Sequence, residues 1–229
     1  MGGGDGAVNV DDNHIMAKKD NSVNMTASET EAAAASPRKA YHHGDLRAAL
    51  VEAGLRLLQS RTADDLSLRE VSREVGVSAT AIYRHFPDKQ ALMAALALEG
   101  VERLARQQRG ASWHAGGGRS GFLASGLAYV RFAADNPALF RLIFSCAQTE
   151  DLLGALIDTV SSAMQGLRRD IEQLMPAALP DADRKAAALH AWALVHGLAQ
   201  LLLDRQITPD WALIERTLAG SFTALASLR

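Results

Sequence analysis

After about residue 40, apolar side chains recur at intervals of three and four, and no segment alternates in the two-residue rhythm of a strand. This pattern predicts an all-α fold. Leu46, Ala49, Leu50, Ala53, Leu57 and Leu58 form one stripe, predicting a first helix that ends near Arg61. Leu68, Val71 and Val75 form a shorter second one, closed by Gly76, a residue suited to a left-handed helix end. Val77 then fills the corner and Ser78 caps a third helix over Ala79 to Phe86, with Ile82 and Phe86 turned inward. Pro87 stops that helix and Asp88 caps the next, which runs from Gln90 to Arg109 with Leu92, Leu96, Val101 and Leu104 inward and Arg103, Arg106 and Arg109 outward. The Gly- and Ser-rich stretch Gly110 to Gly121 breaks it and is the expected domain boundary. Further helices are predicted at 120–135, 137–146, 151–175, 181–206 and 209–228, separated by Pro137, Pro176, Pro180 and Pro209.

The run Ala186 to Leu203 is apolar on nearly every face. His190, His196 and Gln200 interrupt it and no anchoring residues flank it, so the expectation is a buried helix, with no membrane partner. Such a helix needs two partners, and with Trp211, Leu213, Ile214, Leu218, Phe222 and Leu225 on the last helix a four-helix interface between two copies of the chain is expected.

Composition adds bounds. With 229 residues, 48% of them hydrophobic, the chain can bury a core of one large or two small domains. One cysteine excludes an internal disulfide framework, and no basic region precedes an apolar run and cleavage site, so a cytoplasmic protein is expected. Residues 1–36, with two Lys against six Asp or Glu and few large apolar residues, are expected to be a disordered tail in which Met16 or Met25 offers a later start. Residues 37–110 carry twelve basic against nine acidic residues, a surplus of three, whereas 111–229 are nearly balanced. The basic surplus therefore accompanies the short helices, in keeping with either phosphate contact or an ordinary solvated face.

The stretch SLREVSREVGVSATAIYRHFPDK at 67–89 has the build of a helix-turn-helix whose second helix leaves Thr80, Tyr83, Arg84 and His85 exposed. Lys89, in the first turn of the following helix, opposes that helix's dipole and so calls for an anionic partner. From Tyr41 to Leu96, YHHGDLRAALVEAGLRLL followed by GVSATAIYRHFPDKQALMAAL, the chain resembles the DNA-binding domain of tetracycline-repressor-like (TetR) regulators. WALVHGLAQ at 192–200 also resembles a C-terminal domain type of one branch of that family, named for its Trp, His and Gly. The resemblance implies a three-helix DNA-binding domain (37–110) joined to a helical ligand-binding and dimerisation domain (111–229). It implies double-stranded operator DNA as partner, a homodimer, and release by a small hydrophobic or aromatic effector. The positions it places at DNA are Tyr41, His42, Ser67, Arg69, Ser78, Ala79, Thr80, Tyr83, Arg84, His85 and Lys89. An architectural or division-linked DNA protein of the same fold, without an inducer, is the alternative.

In the C-terminal half, Trp113, Phe122, Tyr129, Phe140, Phe144, Met164, Trp192 and His196 are candidates to line an effector site, although each alone is also ordinary core material. His196 and Gln200, four apart, share a helix face and offer a polar handle. Cys146 has no Lys, Arg or His beside it in sequence and reads as an inert thiol. The adjacent His42 and His43 lack further ligands at metal spacing. With no G-x-S-x-G, H-E-x-x-H or phosphate-cradling glycine loop, neither enzyme chemistry, a metal nor a cofactor is expected.

Overall fold

The computed structural model describes residues 46–146, 170, 173–174 and 180–226, which form eight helices and no strand. They are α1 Leu46–Leu57, α2 Leu68–Val75, α3 Ala79–Tyr83, α4 Lys89–His114, α5 Gly118–Asp135, α6 Pro137–Cys146, α7 Asp181–Leu203 and α8 Trp211–Ala226. The expected tail at 1–36, the helix at 151–175, Tyr41, His42, Met164 and the side chains of Cys146, Phe222 and Leu225 lie outside the described residues.

The caps behave as local chemistry dictates. Ser67 and Glu70 form a reciprocal capping box at the start of α2, an arrangement worth about 1 kcal/mol per cap. At the other end Gly76 takes φ 80°, and the N–H groups of Gly76 and Val77 donate to the carbonyls of Arg73 and Ser72 at 3.1 and 2.9 Å. That is a Schellman closure, which satisfies two carbonyls that the helix leaves open. Ser78 Oγ accepts from the Ala81 N–H at 3.2 Å and Asp88 Oδ1 from the Ala91 N–H at 2.8 Å, opening α3 and α4 as the sequence indicates.

Helix α3 stops at Tyr83, three residues before the expected end. Phe86 precedes a proline, which disfavours helical backbone at that position, so Arg84 and His85 form a closing turn and Phe86 drops into the core. Ile82 and Phe86 are fully buried there with Leu50, Val71, Leu92 and Leu96. Each such side chain contributes about 1.5–3 kcal/mol by leaving water.

Helix α4 runs to His114, beyond the expected end at Arg109. A single glycine inside a helix costs only about 1 kcal/mol, so Gly110 is carried through. The chain reverses where Gly116, Gly117 and Gly118 stand together at φ 82°, 69° and 55°, backbone that other residues adopt only under strain. Along its length α4 contributes Leu92, Met93 and Leu96 to the side facing α1–α3, and Val101 and Leu104 to the same continuous core, which extends through Phe132, Phe140 and Ile143 to Ala199. At Gly100 an added Cβ would stand 2.8 Å from Leu139 and 3.0 Å from Ile143, so α6 comes up closely against α4 there.

On α8, Ile214 and Leu218 do not face outward as the interface expectation had them; they pack with Val130 of α5 in a second, smaller core. Leu189 of α7 and Leu213 of α8 remain 60% and 57% exposed. Helix α7 is long and apolar enough to cross a membrane, yet only 22% of its most apolar window is buried within the chain.

Gly76→Ala should lower stability by about 1–2 kcal/mol in urea unfolding, through left-handed strain alone, because a Cβ there meets nothing within 4 Å. An unchanged midpoint would contradict the cap geometry.

Candidate nucleic-acid interface and aromatic cluster

The α2–turn–α3 hairpin presents Arg69, Ala79, Thr80, Arg84 and His85 to solvent, with Tyr83 49% exposed. None of Thr80, Arg84 and His85 is drawn into an ion pair among the described residues. This face is therefore open to a ligand and rigidly backed by Ile82 and Phe86 beneath it. Ser67 and Ser78 are used differently: their hydroxyls are spent on the helix caps, so they set the backbone and leave the outward work to their neighbours.

Lys89 departs from expectation. Its Nζ donates to the backbone carbonyl of Asp64 at 2.6 Å, pinning the α1–α2 loop to the start of α4. The partner is a carbonyl dipole rather than the anion that the sequence calls for. In the same loop, a hydrogen bond from the Thr62 hydroxyl at 2.6 Å holds the Asp65 carboxyl below its usual range. The Arg61 guanidinium, and then Ser67, do the same for Glu70.

Two features of this half are not announced by sequence spacing. Arg47 of α1 stacks over the Phe86 ring, 5.1 Å from its centroid, which places a cation beside the hairpin. Arg103 of α4 pairs with Glu52 of α1 and, at 3.1 Å, with Glu99, while Arg106 reaches Glu99 at 2.8 Å. Burial would raise the Glu99 carboxyl, but the hydrogen bonds from Arg106 and Arg103 hold it below its usual range. This chain of charges links α1 to α4. The i,i+4 spacing of Glu99 and Arg103 signals one of these contacts; the bond to Glu52, fifty-one residues away, needs the fold.

The C-terminal half gathers four of the eight effector-site candidates around a fifth, the His196 imidazole. The rings of Phe144, Trp192, Phe140 and Tyr129 lie 4.7, 5.6, 5.8 and 6.4 Å from that of His196. Tyr129 and Phe140 meet edge to face at 5.5 Å, a favoured aromatic arrangement. The Tyr129 hydroxyl lies 3.0 Å from His196 Nδ1, and the Gln200 amide 3.4 Å from Nε2. Burial pushes the Tyr129 phenol up, so it stays protonated. The Gln200 amide nitrogen can only donate, so His196 accepts at Nε2 and carries its own proton on Nδ1, given to the Tyr129 hydroxyl oxygen, and burial lowers its pKa from 6.5. The ring is a neutral hub at physiological pH. Trp113 lies elsewhere, 83% exposed near the end of α4, and is not part of this cluster. Phe122 is half-buried on the first turns of α5 and is not among the rings that meet His196. Among the described residues no three His, Cys, Asp or Glu gather at metal-binding distance.

Because folding favours neutral His196, the unfolded chain takes up the proton first, near pH 6.5, and stability is lost as pH falls below that value. The unfolding midpoint of the parent should therefore drop more steeply between about pH 7.5 and 5.5 than that of His196→Gln, followed by circular dichroism. Parallel pH profiles would show that His196 titrates freely.

Comparison with known proteins brings both halves together. The model of bacterial regulatory proteins of the tetR family matches residues 50–96, spanning most of α1 through the first turns of α4. That of the tetracyclin repressor-like C-terminal domain matches residues 122–224, spanning α5 to α8. Among solved structures, a Rhodococcus sp. RHA1 protein of unknown function is 30% identical, covers 83% of this chain and 100% of its own, and superposes with a TM-score of 0.72. A tetR-family transcriptional regulator from Streptomyces coelicolor is 24% identical over 78% of this chain and 81% of its own, at TM-score 0.60. A provisionally assigned transcriptional regulator from Pseudomonas aeruginosa PAO1 is 24% identical over 80% and 90%, at TM-score 0.67. Capped hairpin, central α4 and helical C-terminal half thus coincide with the two family domains in their proper order, and the chain belongs to the TetR family of DNA-binding transcriptional regulators.

Proposed function

We propose that this regulator is a repressor that binds a palindromic operator as a homodimer and is released by a small hydrophobic or aromatic effector. The observation that carries the reading is the α3 face: a short, doubly braced helix whose Thr80, Tyr83, Arg84 and His85 project into solvent. In this reading Thr80 and Arg84 meet base edges in the major groove, where arginine pairs with guanine and threonine offers a hydroxyl or a methyl. Tyr83 and His85 serve phosphates, with Tyr41, His42, Arg69 and the backbone around Ser67, Ser78 and Ala79 at the groove edges. Lys89 holds the α1–α2 loop in place and adds a cation at the duplex backbone.

Dimerisation is supported by the apolar surface that α7 and α8 leave open, with Leu189 and Leu213 more than half exposed. A second copy related by a two-fold axis covers such a surface, and no membrane is needed to explain it. Effector binding is supported by the ring cluster around His196, whose Tyr129 and Gln200 contacts supply the polar handle. Helix α4 touches both regions, so a shift of α6 or α7 would reach the hairpin through it.

A duplex selected from a random pool gives the reference site. Against it, Arg84→Ala should cost about 1–3 kcal/mol and relax preference at one base pair, whereas Lys89→Ala should weaken all duplexes alike and flatten the salt slope by about 1. A changed sequence preference in Lys89→Ala would reverse the assigned roles. The double variant Leu189→Glu, Leu213→Glu should sediment as a monomer and lose the palindrome while keeping its helicity; a dimer that persists would place the interface elsewhere.

A further inference from the structure

Apart from the His196 cluster, α4 and α5 flank an open surface groove of about 410 Å³. One wall is Gln107, Gly110, Ala111 and His114, and the other Ala124, Leu127, Ala128 and Arg131. Both sets follow the same i, i+3, i+4, i+7 spacing, so each is a single stripe on its helix. The groove exists because four of the eight positions are glycine or alanine: a Cβ built on Gly110 meets nothing within 4 Å.

The chemistry of the walls is asymmetric. The floor is apolar, made by Ala111, Ala124, Leu127 and Ala128. Since the chain reverses at Gly116–Gly118, the positions remote from that turn are Gln107 and Arg131, and those nearer it are His114 and Ala124. Arg131 is oriented by stacking on Trp211 of α8, its Cζ 5.4 Å from the ring centroid, and no carboxylate lies within ion-pair distance of it among the described residues. A guanidinium held by an aromatic face, with its N–H fork unspent, is an acceptor site for a planar anion. At the other end, His114 Nδ1 sits 2.7 Å from the Gly110 carbonyl, so Nδ1 carries the proton and Nε2 is left as a lone-pair acceptor. The volume is within the range that suits a small molecule.

We propose that this groove is a second small-molecule site, specific for an organic acid with a flat apolar body, whose carboxylate is held by Arg131 and Gln107 and whose body lies on the alanine floor. Its ligand class is distinct from that of the His196 cluster, whose described ring members supply no cation. The proposal stands whether or not the chain is a repressor.

The test uses the full chain and 2-naphthoate as probe, by isothermal titration calorimetry at neutral pH. Saturable binding in the submillimolar range is expected, with the uncharged 2-naphthamide weaker by about tenfold or more. Arg131→Gln should weaken 2-naphthoate by about tenfold and leave 2-naphthamide unchanged. Gly110→Leu, which fills the groove from α4, should abolish binding of both while duplex binding and helicity persist; Ala124→Leu fills it from α5 and serves should the first variant not fold. His196→Phe should not alter the affinity for 2-naphthoate. Equal affinity for acid and amide, competition by inorganic phosphate as strong as that by 2-naphthoate itself, retained binding in the groove-filled variants, loss of binding in His196→Phe, or no saturation at millimolar probe would each overturn the proposal.

Discussion

Burial of one face of α4 from Leu92 to Leu104 is the constraint on which the other features depend. Leu92, Met93 and Leu96 need the apolar undersides of α1, α2 and α3 to leave water, and those short helices in turn have no other core. Farther along, Val101 and Leu104 belong to the same contiguous cluster as Phe132, Phe140 and Ile143. A five-residue helix such as α3 would be far too short to persist alone. It persists because Ile82 and Phe86 are inserted into a core that the longer helices define.

From this follows a division of labour among polar groups. Ser67, Ser78, Asp88 and Gly76 fix the backbone of the hairpin, and Lys89 ties the α1–α2 loop to α4. Thr80, Arg84 and His85 are then free of structural duties. In the C-terminal half the same logic yields a neutral imidazole: the Gln200 amide nitrogen donates to Nε2, and Nδ1–H is turned toward the Tyr129 hydroxyl oxygen. Polar groups in such surroundings must be satisfied or they cost more than they give, which is why the cluster forms a closed sequence of donors and acceptors.

Much of the hairpin is legible in sequence because its signals are local. A capping serine three residues before its glutamate, a glycine at the helix end and a proline after the last inward residue act within one or two turns. The end of α3 is less legible, because periodicity alone continues through Arg84 and His85 while the pre-proline position breaks the helix. Gly110 misleads in the opposite sense: packing overrides its low propensity, and three consecutive left-handed glycines farther on make the turn. What sequence could not provide were contacts between distant segments. Tyr129 and His196 are sixty-seven residues apart, Lys89 meets a backbone carbonyl that any residue at position 64 would supply, and Trp113, aromatic like the cluster members, points to solvent. Ile214 and Leu218 have the same periodic spacing whether they face α5 or a second chain, and only the fold shows that they face α5.

The proposed dimer requires paired hairpins held at a fixed separation. Nitroxide labels placed at the exposed Ala79 position, read by pulsed electron resonance on the full chain with its selected duplex, measure that separation directly. A single narrow distribution near one helical repeat of DNA, about 34–36 Å between α3 centres, is the expected result. Absence of any dipolar coupling between labels, or a broad distribution whose mean lies well away from one helical repeat on the selected duplex, would contradict it.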